Sequence, residues 1–541
     1  MTVSSSGLER NAGNRPADLV AAVLDGFAEA VSPTPAEHGY VLGFQVNHPE
    51  ALRSLCRFLF WSQGCSFGGI IAEEHPKHWQ LDYPFLLPGS GWIAVKLHLP
   101  CEVTTVPSIS AEVHAADWHE REIEDLFGLN FEGHPRLGDF ILHDQLWHEG
   151  IAPMRKRFSA NQPHFERQPN PEWRPLLVVQ DPGAFAMPLG PIYEGGIGES
   201  LHFLLETVGE DVVRSSPRLF YNYRAVEKIA EGKTITDTLL LAERFAATSA
   251  FAHSLAFCQA VENIASVRVP ARAQQLRVVL CELERLRHHA GAITGICEST
   301  ALAVPAAQAG MIEEQLLRAS CVFAGHRYLF GLNTPGGLTR DFDTQACAEL
   351  LSAAKKACAE LLKLEDRLRY SSSFLDRLEN VGAIDADEAR DLNLVGPIGR
   401  GSAQSSDLRR ACPYAGYERY KFDVPCESEG DGYARLRVLF AECVQSVALI
   451  RQAVKSLPTG PVRAACDTPH AGASIGWVEA PRGAALHWVR INGDGVIERY
   501  RAITPSFNNW LGFHSAAENF AFQDFPIILA TFGLSATECD R

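Results

Sequence analysis

Two hydrophobic periods alternate along this chain, and they divide it. Residues 17–24 and 51–60 carry apolar positions at helical spacing, and residues 92–99 (Trp-Ile-Ala-Val-Lys-Leu-His-Leu) alternate as a strand does. Beyond residue 250 the helical period dominates. Segments 256–264, 271–296, 308–329 and 341–368 read as helices, the second long and amphipathic, with Gly331 to Leu338 as the turn between the last two. The pattern predicts an α+β chain: a small α/β domain, then a large, mainly helical one.

Boundaries follow from composition. Residues 1–44 read as a weakly structured lead-in with a first helix, and 45–145 as the α/β domain. Residues 146–180 read as a linker, polar and broken by Pro163, Pro169, Pro171 and Pro175. Residues 181–541 form the helical domain. At 541 residues both domains can bury sizeable cores.

A net charge of -16 excludes nucleic acid and an anionic membrane surface as direct partners. The start of the chain lacks a basic segment followed by an apolar core, so no signal peptide is expected. No apolar run reaches the roughly 18 residues of a membrane span. Membrane contact is therefore expected through partners, on the cytoplasmic side. The 14 cysteines include no Cys-x-x-Cys, and spacings such as Cys56 to Cys65 and Cys347 to Cys358 fit no zinc or iron–sulfur pattern. They read as buried, reduced thiols, many in apolar helical runs (Cys281, Cys321, Cys443). No Gly-x-Gly-x-x-Gly follows a strand, so NAD(H) would be handled by another subunit.

The stretch Trp118-His119-Glu120-Arg121-Glu122-Ile123-Glu124-Asp125-Leu126-Phe127-Gly128, followed by His134-Pro135-Arg136, resembles the signature of the 30-kDa subunit of respiratory complex I. The residues themselves predict a short acidic helix over 120–127, ended by Gly128. Its charges read as a solvated or interface face rather than as chemistry at Glu122 or Asp125. The resemblance implies a docking segment for the 49-kDa-type unit.

A second set of motifs resembles both the complex I 49-kDa subunit and the large subunit of group-4 [NiFe] hydrogenases. Gly190-Pro191-Ile192-Tyr193-Glu194-Gly195-Gly196-Ile197 matches the family's opening Gly-Pro-x-His, with Ile197 where complex I presents a quinone-facing histidine. Glu194 is the ionisable group left in that loop, a candidate proton relay or a turn-stabilising residue. Leu219-Phe220-Tyr221-Asn222-Tyr223-Arg224-Ala225-Val226-Glu227-Lys228 follows the family's Leu-Phe-x-x-His-Arg-Gly-x-Glu-Lys. Arg224 and Glu227, three apart, are expected to pair within a helix.

The stretch Glu243-Arg244-Phe245-Ala246-Ala247-Thr248-Ser249-Ala250-Phe251-Ala252-His253-Ser254 keeps the frame of the hydrogenase metal loop, Glu-Arg-Ile-Cys-Gly-Ile-Cys-Gly-Phe-Ala-His-Ser. Ala246 and Ser249 stand at its two cysteines. At the other end, Gly533-Leu534-Ser535-Ala536-Thr537-Glu538-Cys539-Asp540-Arg541 puts Ser535 and Glu538 at the second cysteine pair, with Cys539 one place off. A methyl group and a hydroxyl do not replace thiolates, so no metal ligand and no nickel–iron centre are expected. An ending without a removable maturation tail agrees with that.

His253 reads either as a group beside the former metal site or as a hydrogen-bonded core histidine. Glu282-Leu283-Glu284-Arg285-Leu286-Arg287-His288-His289 resembles a helix that faces the partner's iron–sulfur cluster. Arg285 and His289 share a face and are the candidates to lie near it, or else Arg285 pairs with Glu282 or Glu284. Glu479-Ala480-Pro481-Arg482-Gly483 matches the hydrogenase turn whose arginine faces the iron; without metal, Arg482 is expected to satisfy a carboxylate such as Glu538. The candidates for chemistry are thus Glu194, His253 and Arg482.

Taken together, the resemblance implies a fused 30-kDa/49-kDa-type subunit of a complex-I-like or hydrogenase-4-like oxidoreductase, peripheral to the membrane, that couples electron transfer to ion translocation. It implies a small iron–sulfur subunit, antiporter-like membrane subunits and a quinone module as partners. The iron–sulfur cluster would lie in the partner, with quinone a candidate ligand and no cofactor bound directly. The alternative is a metal-free scaffold for assembly or conformational coupling.

Overall fold

The computed structural model describes residues 15–37, 39–143, 147, 150–161, 172, 174, 177–192, 201–466 and 470–541. The chain divides into two compact units between Arg167 and Gln168.

The first unit is built on a six-stranded sheet. Strands His78–Leu87 and Gly91–Pro100 form a hairpin that pairs His78 with Pro100 and Leu87 with Gly91. Leu42–Val46 runs parallel to Gly91–Pro100, and Val31–Thr34 pairs antiparallel with Leu42–Val46. The sheet therefore begins ahead of residue 45. Helix Ala51–Arg57 continues into one wide turn, Phe58–Ser62, and a first helix spans Arg15–Phe27.

Helix Asp117–Phe127 ends on Gly128, whose φ of 71° is the left-handed value that glycine adopts without a Cβ penalty. Of the two readings of its charged face, solvated or interface, the solvated one fails: Glu120 is 0% exposed and Glu122 1%. Glu120 accepts hydrogen bonds from Ser108 Oγ (2.5 Å) and Ile109 N (2.7 Å). Asp125 accepts from the backbone N–H groups of Phe140, Ile141 and Leu142. The physical reason lies in the neighbouring loops. Their N–H groups have no strand or helix partner, and buried carboxylates supply one.

The second unit holds a sheet of strands Ala184–Ile192, Leu201–Val208 and Asp211–Arg218, edged by Phe520–Ala521. Its core is helical. The long helix Ala271–Ser299 packs against Ala303–Ala324 and Gly432–Lys455. It is buried on nearly all sides rather than amphipathic, including Arg277, Glu282, Arg285, Arg287, His288 and His289. Those charges find partners inside the unit, so the polar positions that suggested a wet face line an internal network. The next two helices run Ala303–Ala324 and Thr344–Leu368. The first stops at Gly325, φ 74°, ahead of the expected residue 329.

A three-stranded sheet, Gly472–Ala480, Gly483–Ile491 and Ile497–Ile503, supports helix Ala250–Ile264. Close approach there requires Gly476, because an added Cβ would stand 2.0 Å from Ala256 O. Among the described residues no helix is long and apolar enough to cross a membrane. Cys281 and Cys443 are buried, whereas Cys321 is exposed on the outer side of its helix.

Candidate functional site

Two loops far apart in sequence converge in the second unit. The first, Ala247–Ser249, lies between helices Ile235–Arg244 and Ala250–Ile264. Glu284 of the long helix fixes its exit, accepting from Phe251 N (2.8 Å) and Ala252 N (3.0 Å) at a helix start whose N–H groups lack intrahelical partners. The second is the turn Ala536–Cys539, with Ser535 as its N-cap. Arg224 ties the two together: its guanidinium donates to Phe245 O, Thr537 O and Asp540 O at 2.8, 2.5 and 3.0 Å.

Glu538 is the centre of the convergence and is 0% exposed. Its Oε2 accepts from Ser506 Oγ at 2.6 Å. Its Oε1 accepts from Ser249 Oγ (3.3 Å) and from Arg482 Nη1 (3.2 Å). The pairing expected between Arg482 and Glu538 is therefore present. Arg482 also donates to Thr248 Oγ1 (3.0 Å) and Gly533 O (2.7 Å), so it bridges both loops. Burial would raise the Glu538 carboxyl, but the Arg482 charge and its hydrogen bonds outweigh that and hold it down at about 2.

Ala246, Ser249, Ser535 and Glu538 are thus brought to one place. They offer two hydroxyls and a carboxylate whose oxygens are already engaged, while Ala246 contributes a methyl group with no donor atom. Cys539 is buried, donates to Ser535 O at 3.6 Å, and burial pushes its thiol well up, so it stays protonated. This donor set does not fit a soft, redox-active metal, which calls for thiolates.

His253 is fully buried, with Nδ1 3.1 Å from His487 Nε2 and Nε2 3.9 Å from Glu538 Oε1. Tyr500 Oη in turn lies 2.8 Å from His487 Nδ1. His253 is both a hydrogen-bonded core histidine and a neighbour of the Glu538 cluster. A void of about 20 Å³, room for one water, lies beside Arg482 and is lined by His288, Ile398, Arg435 and Phe532.

Arg285 and His289 share a second network, also fully buried. His289 Nε2 meets Glu442 Oε2 at 2.8 Å, and Arg285 lies within 3.6 Å of both Glu282 and Glu442 while donating to Glu479 O and Ala480 O. Arg400 joins Glu442 to Glu479, and Arg409 joins Glu282 to Asp407. Burial lowers the His289 imidazole despite Glu442.

Glu194 and Ile197 lie outside the described residues. The expected Arg224–Glu227 pair is absent. Ala225 sits at φ 53°, so helix Val226–Ala230 starts only after Arg224, and the two side chains part. Glu227 instead takes Arg499, Arg501 and Arg541 at 3.0, 3.2 and 3.1 Å.

Sequence reasoning singled out neither His487 nor Tyr500. Both stand on strands, and nothing in a strand's alternation separates a linked buried His–Tyr pair from ordinary inward residues. The role of Ser506 likewise needs the fold, which brings its hydroxyl to Glu538.

The family model described as the 30 Kd subunit of the respiratory-chain NADH dehydrogenase matches residues 46–164, and that described as the 49 Kd subunit matches 309–471 and 465–541. Formate hydrogenlyase subunit 5 of Escherichia coli (strain K12) is 28% identical over 503 residues, covering 91% of this chain and 87% of that protein. Hydrogenase-4 component G of the same organism is 28% identical, covering 86% of this chain and 81% of that protein. The fused C/D polypeptide of the NADH-quinone oxidoreductase of Bdellovibrio bacteriovorus is 32% identical over 380 residues, covering 68% of this chain and 66% of that protein.

Proposed function

Because this chain joins a 30-kDa-like to a 49-kDa-like domain of the respiratory-chain NADH dehydrogenase, we propose that it is a subunit of a membrane-associated oxidoreductase of the complex I or hydrogenase-4 kind, working without a nickel–iron centre. In this reading the chain sits peripherally on the cytoplasmic side and binds a small iron–sulfur subunit. It meets antiporter-like and quinone-module subunits, and the complex couples electron transfer to ion translocation.

One observation carries the metal-free part. The loops at 246–249 and 535–538 meet, and Glu538 is engaged there by Ser249, Ser506 and Arg482. The cleft is built, and protein atoms satisfy the carboxylate at its centre.

A second reading, a scaffold that assembles or conformationally couples such a complex, is favoured by the same closure. The void beside Arg482 measures about 20 Å³, room for a water.

Nickel and iron analysis of the purified complex, with H₂-dependent dye reduction on the same sample, separates these readings. Iron without nickel and without H₂ activity is the expected result. Stoichiometric nickel with H₂ activity overturns the proposal, and an intact complex with neither metal favours the scaffold.

A further inference from the structure

A cavity of about 320 Å³ opens where helix Ala250–Ile264 ends and the long helix Ala271–Ser299 begins. It shares no lining residue with the Glu538 cluster. Its walls include Gln259 and Glu262 of the first helix, Arg268 of the connecting loop, Arg277 of the second, and the rings of Tyr414 and Trp477. The volume falls in the range of small-molecule sites, roughly 300–1,000 Å³.

Most polar atoms in these walls are already satisfied. Glu262 holds Arg277 through both oxygens, at 3.1 and 2.7 Å, and accepts from Gly336 N at 2.8 Å. Trp477 Nε1 donates to Cys412 O at 2.8 Å, which fixes its half-buried ring. Tyr414 Oη accepts from Glu479 N.

What remains is donor-rich. Arg277 is 2% exposed, yet its Nε–H has no hydrogen-bond partner among the described residues; nor has the buried Nε2 of Gln259. A buried donor without a partner calls for a water, an ion or a ligand. The long helix also starts here: Pro270 is its N-cap, with no side chain capping the first turn, and Val269 and Gln274 line the cavity. The positive end of 29 residues of helix therefore borders it. With Glu262 neutralised by Arg277, the exposed Arg268 leaves the lining one positive charge in excess.

We propose that this cavity binds a small organic oxyanion, a carboxylate or a phosphate ester, at Arg268, Gln259 and the start of the long helix, with its organic part against Trp477 and Tyr414. The arrangement disfavours a cation, because the only carboxylate among the described lining residues is taken. The site goes beyond the redox reading above and does not depend on it.

Isothermal titration of the purified full-length chain at low ionic strength tests this, with inorganic phosphate, glycerol 3-phosphate and malonate as probes. The expected result is saturable one-site binding of at least one probe. Arg268→Gln weakens it by about tenfold, in line with loss of a charge-assisted hydrogen bond. Gln259→Leu also weakens it, while Arg318→Gln, an exposed arginine on another helix, leaves it unchanged. Arg268 is exposed, so its replacement keeps the fold, which circular dichroism checks. Tighter binding of the ester than of inorganic phosphate supports the organic part against Trp477 and Tyr414; inorganic phosphate binding as tightly as both organic probes overturns it. No saturable binding of any probe overturns the proposal, as does equal affinity in wild type and Arg268→Gln. Neither result bears on metal content, so this proposal and the functional one fail separately.

Discussion

Arg482 Nη1 lies 3.2 Å from Glu538 Oε1, and the same nitrogen reaches Thr248 Oγ1 at 3.0 Å. One guanidinium thus closes the turn after strand Gly472–Ala480 onto both convergent loops. Arg482→Gln leaves a buried carboxylate without its cation, and the expected cost is on the order of 3 kcal/mol in urea unfolding. Adding Glu538→Gln removes the stranded charge, so the double variant should be less destabilised than the sum of the singles.

The same carboxylate sets an acid limit. Its folded pKa of about 2 lies below the reference 4.5, so its contribution is fully present above pH 4.5 and is lost as pH falls through 2. The shift corresponds to roughly 3 kcal/mol at most. Stability measured between pH 5 and pH 2 should fall less steeply in Glu538→Gln than in the wild type.

Glu120 works in the opposite sense. Burial pushes its carboxyl up to about 8 against hydrogen bonds from Ser108 and Ile109. A raised folded pKa means stability present below pH 4.5 and lost as pH rises through 8. In Glu120→Gln that loss should vanish, and the melting temperature of the first unit should be flatter between pH 5 and pH 8.

Glu227 gathers Arg499, Arg501 and Arg541 in a buried cluster. Glu227→Gln removes the carboxylate that three buried guanidiniums share. A loss of about 3–5 kcal/mol is expected in denaturant titration, larger than for any single surface ion pair.

Ala225 holds φ at 53°, where a Cβ is strained. Ala225→Gly should stabilise the chain if the relief, about 1–2 kcal/mol, exceeds the added freedom of the unfolded state, about 0.4–1 kcal/mol. A net gain below 1 kcal/mol in urea is the expected outcome.

The motif frames were legible through the family resemblance, which set Ala246, Ser249, Ser535 and Glu538 at the two cysteine pairs, and the Arg482–Glu538 pair followed from an unmet charge. The strand at 92–99 and the helix expected over 341–368 were legible from period alone, the helix starting at Thr344. The face of Asp117–Phe127 was not. Periodicity counts charges, and it does not see that loops 108–109 and 140–142 need acceptors. The Arg224–Glu227 pair failed for a related reason: spacing by three implies contact only inside a helix, and a left-handed Ala225 lies between them.

Glu284 grips the first turn of helix Ala250–Ile264 from the middle of a 29-residue helix. A rod of that length spans about 43 Å. It is braced by helices Ala303–Ala324 and Gly432–Lys455, so its position sets where Glu284 stands. The exit of the loop that carries Thr248 and Ser249 is therefore held in register with the long helix through two backbone N–H groups. Burial brings the gripping carboxyl to about 7, so near neutral pH a single proton decides whether that clasp carries a charge.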